Sequence, residues 1–480
     1  MALTKANNRM IDGSAINILD YGAVGDGVTD DTAAIQAALD AAYATGTYAT
    51  VVCPTSPSGN PYLFTGLTVK SKTTFLGTGG TLKLKDNTAN NAGQAFYPIK
   101  NFDGSGGYTE VTYDNLIVDG NSANNTLYTV CDSITCSGEG SIVRNCKIID
   151  AADSGIMFSA ATHGQCINNY IKGVKDAGIY VNNSSEVNDD LRGAVISGNV
   201  CQDCDYGGIN IKRSSGYIVV TNNTIDNCGN GFTIEEFGTG SGGEPDHLLI
   251  ANNLVKNIGF NFRTLSPQPS ESGINVQLSS HCVIQGNKIV DVSGGVFGLD
   301  GATYCTVTGN SFRGYQADPK TASFGNTGIR IATRDGISPD YNVISGNIIS
   351  NCEDEGIYVG SGEYNIISNN IVHDIDGAGT GNQAIRLDAD ADNNVVQGNI
   401  AHGATNDIGI NSGALGNIFN DNKQPNATGV AINGIRRVTA YTTPVSNLTP
   451  LYAGEFVFIT TGSKVFFATG TTNSDWVELT

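Results

Sequence analysis

The chain carries little charge, and little of that is positive. Charged residues are 15% of the 480, with 26 Lys and Arg against 46 Asp and Glu, a formal net charge of -20. Globular chains typically carry ~25% charged residues. Sequence-independent nucleic-acid binding needs a cationic face, and adhesion to anionic lipid needs one too, so neither class fits. Long apolar runs are also missing: nothing approaches the ~20 residues of a spanning helix. The opening MALTKANNRMIDGS lacks the basic-then-apolar layout of a signal peptide. The protein is therefore expected to stay in the cell that makes it or to leave by another route, such as a virus particle. The eleven Cys follow neither disulfide-scaffold nor zinc spacing; Cys201 and Cys204 form a CxxC with no second pair at finger spacing. The five His form no cluster of metal ligands, and the GDG and GSGG strings do not open a helix after a phosphate-binding strand. No cofactor and no metal site is assigned on these grounds.

What is present is repetition, on a background of 61 Gly. A phrase of apolar, any residue, Gly or Asn, Asn, any residue, apolar recurs, as in VTNNTI, IANNLV, IQGNKI, VTGNSF, ISGNII and ISNNIV. Its Asn slot falls at Asn115, Cys146, Asn169, Asn199, Asn223, Asn253, Asn287, Asn310, Asn347, Asn370, Asn399 and Asn422. The spacing keeps returning to 23, as from Asn347 to Asn370, and longer values read as 23 plus an insertion. A second phrase, Gly-Ile-x-apolar, sits between, at Gly155, Gly178, Gly208, Gly273, Gly328 and Gly356 among others. Both alternate apolar with polar residues, the period of a strand with one buried face. Short strands at a fixed period bury that face only by stacking. The predicted fold is all-β, a single-stranded parallel β-helix of about 12 coils over residues 46–423. Each repeated Asn then reads as a step in a turn ladder. Cys204, Cys228, Cys352, Cys282 and Cys305 fall in columns that Ile and Val occupy elsewhere and read as buried thiols, with stacked Cys204 and Cys228 the pair a disulfide would join.

An open coil end exposes unpaired strand edges and needs a cover. Residues 17–45 supply one: a strand, a Gly-rich turn and a helix. Thr29 or Asp30 is expected to cap that helix, Asp30 and Asp31 suit its positive end, and Ile35, Ala38, Leu39 and Ala42 form its apolar stripe. The string DYGAVGDGVTDDTAAIQAALDAA resembles the N-terminal cap of the pectate-lyase-like right-handed β-helix superfamily. With the MALTK start, the chain looks like a bacteriophage tailspike or tail-fibre protein. The resemblance implies a right-handed coil, a homotrimer, a host-glycan substrate, a place in the virion tail, and residues 1–16 as an anchor to tail or baseplate proteins. The combination of NTD, DD and GHG motifs that marks the polygalacturonases is missing, as is a clear Asp cluster for the calcium of pectate lyases. So the reaction stays open, as does a structural or catalytic Ca2+. After residue 423 the repeat stops; 424–480 reads as a small β-module holding the only Trp, Trp476, for trimerisation or glycan contact.

Insertions locate the chemistry, since loops on a rigid scaffold carry function. The stretched gaps, at 178–199, 231–253, 253–273, 310–328, 328–347 and 370–384, all flank the Gly-Ile strand. They predict a walled groove along that face, suited to a chain polymer. Alternation places two outward columns there. One is Tyr180, Asn210, Thr233, Asn275, Gly298, Arg330, Tyr358 and Arg386; the other is Asn182, Lys212, Glu235, Gln277, Asp300, Ala332, Gly360 and Asp388. Tyr180, Lys212, Asn275, Gln277, Arg330, Tyr358, Arg386 and Asp388 are the expected substrate contacts. Glu235 and Asp300 stand two coils apart, about 9.6 Å at ~4.8 Å per rung. Inverting glycosidases hold two carboxyls about 6.5–9.5 Å apart. The expected function is depolymerisation of a bacterial capsule, exopolysaccharide or O-antigen by inverting hydrolysis, with Glu235 and Asp300 as acid and base. Glu236 and Asp335 replace them if the register slips. A lyase acting on a uronate, with Arg330 or Arg386 neutralising its carboxylate, an epimerase, and a non-catalytic adhesin are the alternatives.

Overall fold

Strand alternation and left-handed turns together wind this chain. The computed structural model describes residues 14–480 apart from 90–94, 104–105, 127–129, 160–161, 183–190, 213–214, 236–244, 261–271, 315–326, 376–382, 404–405, 411–412, 424–428, 433–434, 439–455, 460–463, 470–471, 473, 475 and 480. Two compact units divide it, Met1–Glu271 and Ser272–Thr480.

The first unit opens with the strand Ile16–Asn17, paired parallel to Val51 and Val52, and a helix, Thr32–Ala44. Ile35, Ala38, Leu39 and Ala42 are buried, the expected stripe, and the helix packs on the strands Ala49–Pro54, Leu67–Thr68 and Thr73–Thr78. Of the two expected caps, Asp30 reaches the first helical N–H and Thr29 does not. Asp31 precedes the helix, yet its carboxylate makes no cap bond; it accepts from the backbone N–H of Val24 (2.6 Å) and Gly25 (3.0 Å), closing the Gly-rich loop. Asp30 accepts from the Thr32 backbone N–H at 3.1 Å, and Thr29 donates its hydroxyl to Asp26 instead of capping.

From there each coil gives one strand to each of three parallel faces. Inward positions line up in register. On the first face Cys166, Ile196, Val220 and Ile250 are successive partners; on the second, Ile171, Cys201, Ile225 and Val255; on the third, Ile156, Ile179, Ile209 and Phe232. All are buried. Each such side chain contributes roughly 1.5–3 kcal/mol by leaving water.

The second unit repeats the plan. Ile284, Val307, Ile344, Ile367 and Val396 stack on one face, Ile289, Phe312, Ile349 and Val372 on the next, and Phe297, Ile329, Ile357 and Ile385 on the third. After the coils, five strands from Gly429–Ile432 to Trp476–Leu479 form a separate sheet. Trp476 is buried there.

The Asn ladder is present in both units. Asn199 donates its backbone N–H and its side-chain Nδ2 to Asn223 Oδ1, both at 2.9 Å, and also reaches the Cys166 carbonyl at 2.8 Å. Asn347 does the same to Asn370 and to the Val307 carbonyl. A second ladder, Asn342, Asn365, Asn394 and Asn417, escaped the sequence reading. It continues the column of Cys282 and Cys305, so that column is not aliphatic throughout: Cys305 N–H donates to Asn342 Oδ1 at 2.8 Å. The turn amides of those coils need a buried acceptor, which an Ile would not supply. All eleven cysteines are free and buried, so Cys204 and Cys228 stack without a disulfide.

Candidate functional site on the third face

Pairing on the third face brings the two outward columns into line within each unit. Tyr180, Asn210 and Thr233 are partners in the first unit, beside Asn182, Lys212 and Glu235. In the second, Asn275, Gly298, Arg330, Tyr358 and Arg386 form one column, beside Gln277, Asp300 and Ala332. The register shifts at Val359–Ser361, where Ser361 pairs with Asp390, and this takes Gly360 and Asp388 out of line.

These outward side chains are not solvated as alternation alone would have them. Lys212, Asn210, Thr233, Asn275, Gln277 and Asp300 are all buried. Buried polar atoms are normally bonded. Here, among the described residues, Thr135 Oγ1, Asn182 Oδ1, both amide atoms of Asn210, Thr233 Oγ1, Asn275 Oδ1 and both oxygens of Asp300 have no hydrogen-bond partner. Leaving each unmade costs roughly 1–3 kcal/mol. Hydroxyl-rich ligands would satisfy them.

In the first unit Glu235 is held by Lys212, Nζ to Oε1 2.7 Å, and the Lys212 ammonium lies over the rings of Tyr180 (5.7 Å) and Tyr206 (5.8 Å). Three further carboxyls gather nearby on the preceding coils. The Ser154 backbone N–H donates to Asp132 Oδ1 and its hydroxyl to Asp176 Oδ2, both at 3.2 Å; the Cys131 N–H donates to Asp153 Oδ2 at 3.0 Å. Burial, reinforced by the charge of Asp176, pushes Asp153 up to about 7. Burial raises Asp132 strongly, with Asp153 adding to it, and raises Asp176 against the pull of Lys212. The Tyr206 hydroxyl is also raised, by burial and then by the charges of Glu235 and Asp176 around it. These acids were missed in the sequence. Their signal was there: Asp153 and Asp176 each stand two residues before the repeating Gly, at Gly155 and Gly178.

In the second unit Asp300 is 1% exposed at its side chain, with the Arg330 Nε 3.7 Å from Oδ1. Burial raises its pKa, and Arg330 and Arg334 draw it back. Arg386 bonds Glu355 Oε1 at 2.9 Å and reaches Asp388 at 3.4 Å, over the Tyr358 ring, whose hydroxyl donates to Asp388 Oδ2 at 2.7 Å. Glu355, also missed, is raised by burial against Arg386. Glu235 and Asp300 belong to different units, and each is described in its own surroundings. Of their substitutes, Glu236 lies outside the described residues, while Asp335 is half exposed in a turn beside Arg334 and off both columns. Much of the expected groove wall, including 183–190, 236–244, 261–271, 315–326 and 376–382, also lies outside the described residues. Among the described residues no group of three or more His, Cys, Asp or Glu could hold a metal ion.

Comparison with known proteins supports the same architecture. A rhamnogalacturonase A/epimerase, pectate lyase-like family model matches residues 15–243, and a right handed beta helix region model matches residues 272–447. Mannuronan C5-epimerase AlgE1 of Azotobacter vinelandii is 30% identical over 254 residues, 49% of this chain and 17% of that protein. AlgE5 of the same organism is 52% identical over 67 residues, 13% of this chain and 7% of that protein. The chain thus spans a small part of the curated relatives it matches. Among solved structures, the tailspike of E. coli bacteriophage HK620 aligns with TM-score 0.60 at 13% identity, covering 84% of this chain and 79% of that one. The AlgE6 A-module of A. vinelandii aligns with TM-score 0.52 at 17% identity, covering 84% and 98%. A fragment of bacteriophage phi29 gene product 12 aligns with TM-score 0.57 at 16% identity, covering 82% and 70%. The chain is a right-handed parallel β-helix, a fold it shares with the HK620 tailspike and the AlgE6 A-module.

Proposed function

We propose that the chain is a tailspike-type protein that binds a bacterial surface polysaccharide along its third face and processes it by acid–base chemistry. The observation that carries this reading is the row of buried, unpartnered polar atoms on that face, next to carboxyls of two kinds. Asp176 is raised by burial, while Glu235 is paired with Lys212, Nζ to Oε1 2.7 Å. Environments that separate two carboxyls in this way assign acid and base. In a glycoside hydrolysis Asp176 would protonate the leaving oxygen and Glu235 would activate water from the other side, the inverting arrangement. Asp300, beside Arg330 in the second unit, is the alternative acid for the same reaction. Tyr180, Lys212, Asn275, Gln277, Arg330, Tyr358, Arg386 and Asp388 would contact the polymer. A virion-tail location and a homotrimer belong to the same proposal, supported by the tailspike-like fold, and mass photometry of the intact chain tests the trimer.

Epimerisation is the second reading, because the matched curated relatives are mannuronan C5-epimerases. There a base removes the proton beside a uronate carboxylate and an acid returns one on the opposite face; a lyase stops after elimination. One experiment separates the readings. Purified bacterial polysaccharides and alginate are incubated with the protein in deuterated water and examined by mass spectrometry. Fragments with an added water indicate a hydrolase, the expected result, and fragments lacking that water a lyase. Uncut polymer that gains deuterium indicates an epimerase. Bound polymer left unchanged by any of these routes would leave only an adhesin. Glu235→Gln and Asp176→Asn are each expected to lower turnover roughly 100- to 10,000-fold while binding persists. If Asp300→Asn does so and Asp176→Asn does not, the acid is Asp300.

A further inference from the structure

Exposed apolar side chains of the second unit gather on its first face and at the two edges of that face. One outward column there runs Val283, Thr306, Val343, Ile366, Val395 and Ile418, register partners on successive coils, with Ile366 and Ile418 exposed. The other outward column, from Gln285 to Asn420, holds only amides and hydroxyls, so neither column carries an ionisable group. Just past the following turn, Ile348, Ile371 and Ile400 are partners on the second face, each exposed. At the opposite edge, two residues before the first column, His281, Tyr304, Tyr341 and Tyr364 stack at 5.1 Å from ring to ring. All four have left-handed backbone, at φ 55°, 54°, 58° and 57°, and the three tyrosines are about half exposed. That backbone costs about 1–2 kcal/mol for each ring-bearing residue, whereas the next coil places Asn393 there, a type suited to it. Strain of this kind is kept where a surface has a use for it.

We propose that this first face, with its tyrosine and isoleucine edges, is where copies of the chain pack on one another. The inference rests on the homotrimer in the reading above and says which surface builds it. Charge selects the occupant. A chain at net -20 repels its own copies, so they can meet closely only on a face without charge, and a partner of opposite charge would find nothing to read there. Chemistry agrees. Isoleucine suits isoleucine, and amides and hydroxyls both donate and accept, so such a face can satisfy a copy of itself. Size agrees too. Four columns over the coils from Val283 to Ile418 make about 24 positions, and one side of a stable interface contributes roughly 20–30 residues. Aromatic residues are enriched in interfaces and charged ones depleted from their centres. A glycan fits the ladder less well, because the ring faces of Tyr304 and Tyr341 are covered by their neighbours in the stack.

The test weighs the intact chain by mass photometry and analytical ultracentrifugation over a dilution series, with circular dichroism of each variant alongside. Ile366→Asp sets a charge in the middle of the face, on a side chain that already points outward. The expected result is a native oligomer, and a folded Ile366→Asp chain that needs at least tenfold higher concentration to assemble. Gln397→Cys gives a second reading that adds no charge. Gln397 is exposed and the eleven native cysteines are buried, so a short bismaleimide can join copies through the introduced thiol. Linked copies are expected from Gln397→Cys and not from the native chain. If Ile366→Asp fails to fold, the linking result carries the comparison. An oligomer that survives in folded Ile366→Asp, or that gives no link through Gln397→Cys, overturns this face and leaves the homotrimer standing. A native chain that stays monomeric throughout overturns the homotrimer and this interface together, and leaves the face to a glycan or another protein.

Discussion

At the scale of single residues, buried Asn347 shows how this fold uses polar groups. It donates Nδ2 to the Val307 carbonyl at 2.9 Å and to Asn370 Oδ1 at 3.0 Å, and its own Oδ1 accepts the backbone and side-chain donors of Asn310. Asn347→Ala removes all four bonds and strands several partners, each costing roughly 1–3 kcal/mol when left buried and unmade. A loss of about 3 kcal/mol or more is expected, read from the urea midpoint. Tyr341 presents the opposite balance. It stacks between Tyr304 and Tyr364, each at 5.1 Å, with left-handed backbone at φ 58°. Such a backbone costs a non-Gly residue about 1–2 kcal/mol, and an aromatic contact returns about 0.5–1.5 kcal/mol. Tyr341→Ala keeps the cost and loses both contacts; Tyr341→Gly loses both but is relieved of the cost. The Gly variant should therefore be the more stable of the two by about 1 kcal/mol in the same denaturation experiment. If Ala is the more stable, the stack does not offset backbone strain.

At the scale of a coil, stacking turns a repeated position into a shared environment. Asp132, Asp153 and Asp176 come from successive coils and crowd together under burial. Asp153 titrates at about 7 in the folded chain, against ~3.9 when unfolded. Between those values the folded state holds the extra proton. Stability is thus greatest in acid and falls as pH rises from about 4 to about 7, at roughly 1.4 kcal/mol per unit for this group. Asp153→Asn retains an acceptor for the Cys131 N–H and cannot ionise. It should flatten that slope and raise stability at pH 7, measured as urea midpoints at pH 5 and pH 7. An unchanged slope would mean the cluster stays neutral or is solvated. The same stacking explains what the sequence could tell. Period and alternation placed the Asn slots, the inward columns and the partners of Arg330 and Tyr358, because register follows from spacing. They could not show that Asn210 and Asp300 are buried, because alternation alone assigns both to the outward side of the strand. Nor could they rank carboxyls: Glu355 and Asp153 differ from surface acids only in what other coils place around them. The Asp column before Gly155 and Gly178 was readable, and a reading that began at the Gly missed it.

For the whole molecule, charge decides how a polymer arrives. The chain carries a net -20, and three cations on its third face are paired with carboxylates: Lys212 with Glu235, Arg330 with Asp300, Arg386 with Glu355 and Asp388. Those three pairs leave little positive field of their own to draw in a polyanion. The Debye length shortens from about 30 Å at 0.01 M salt to about 8 Å at 0.15 M, so screening at the higher salt removes most long-range repulsion between this chain and an acidic polysaccharide. Association with alginate or an acidic capsule should therefore speed up, severalfold, as salt rises over that range. Association with a neutral O-antigen should hardly change. Surface plasmon resonance on immobilised polymer at the two salt concentrations reads both rates. A steep fall with salt on the acidic polymer would show that Arg330 and Arg386 are released from their carboxylates to meet it. The third face would then act as a cationic groove despite the charge of the chain around it.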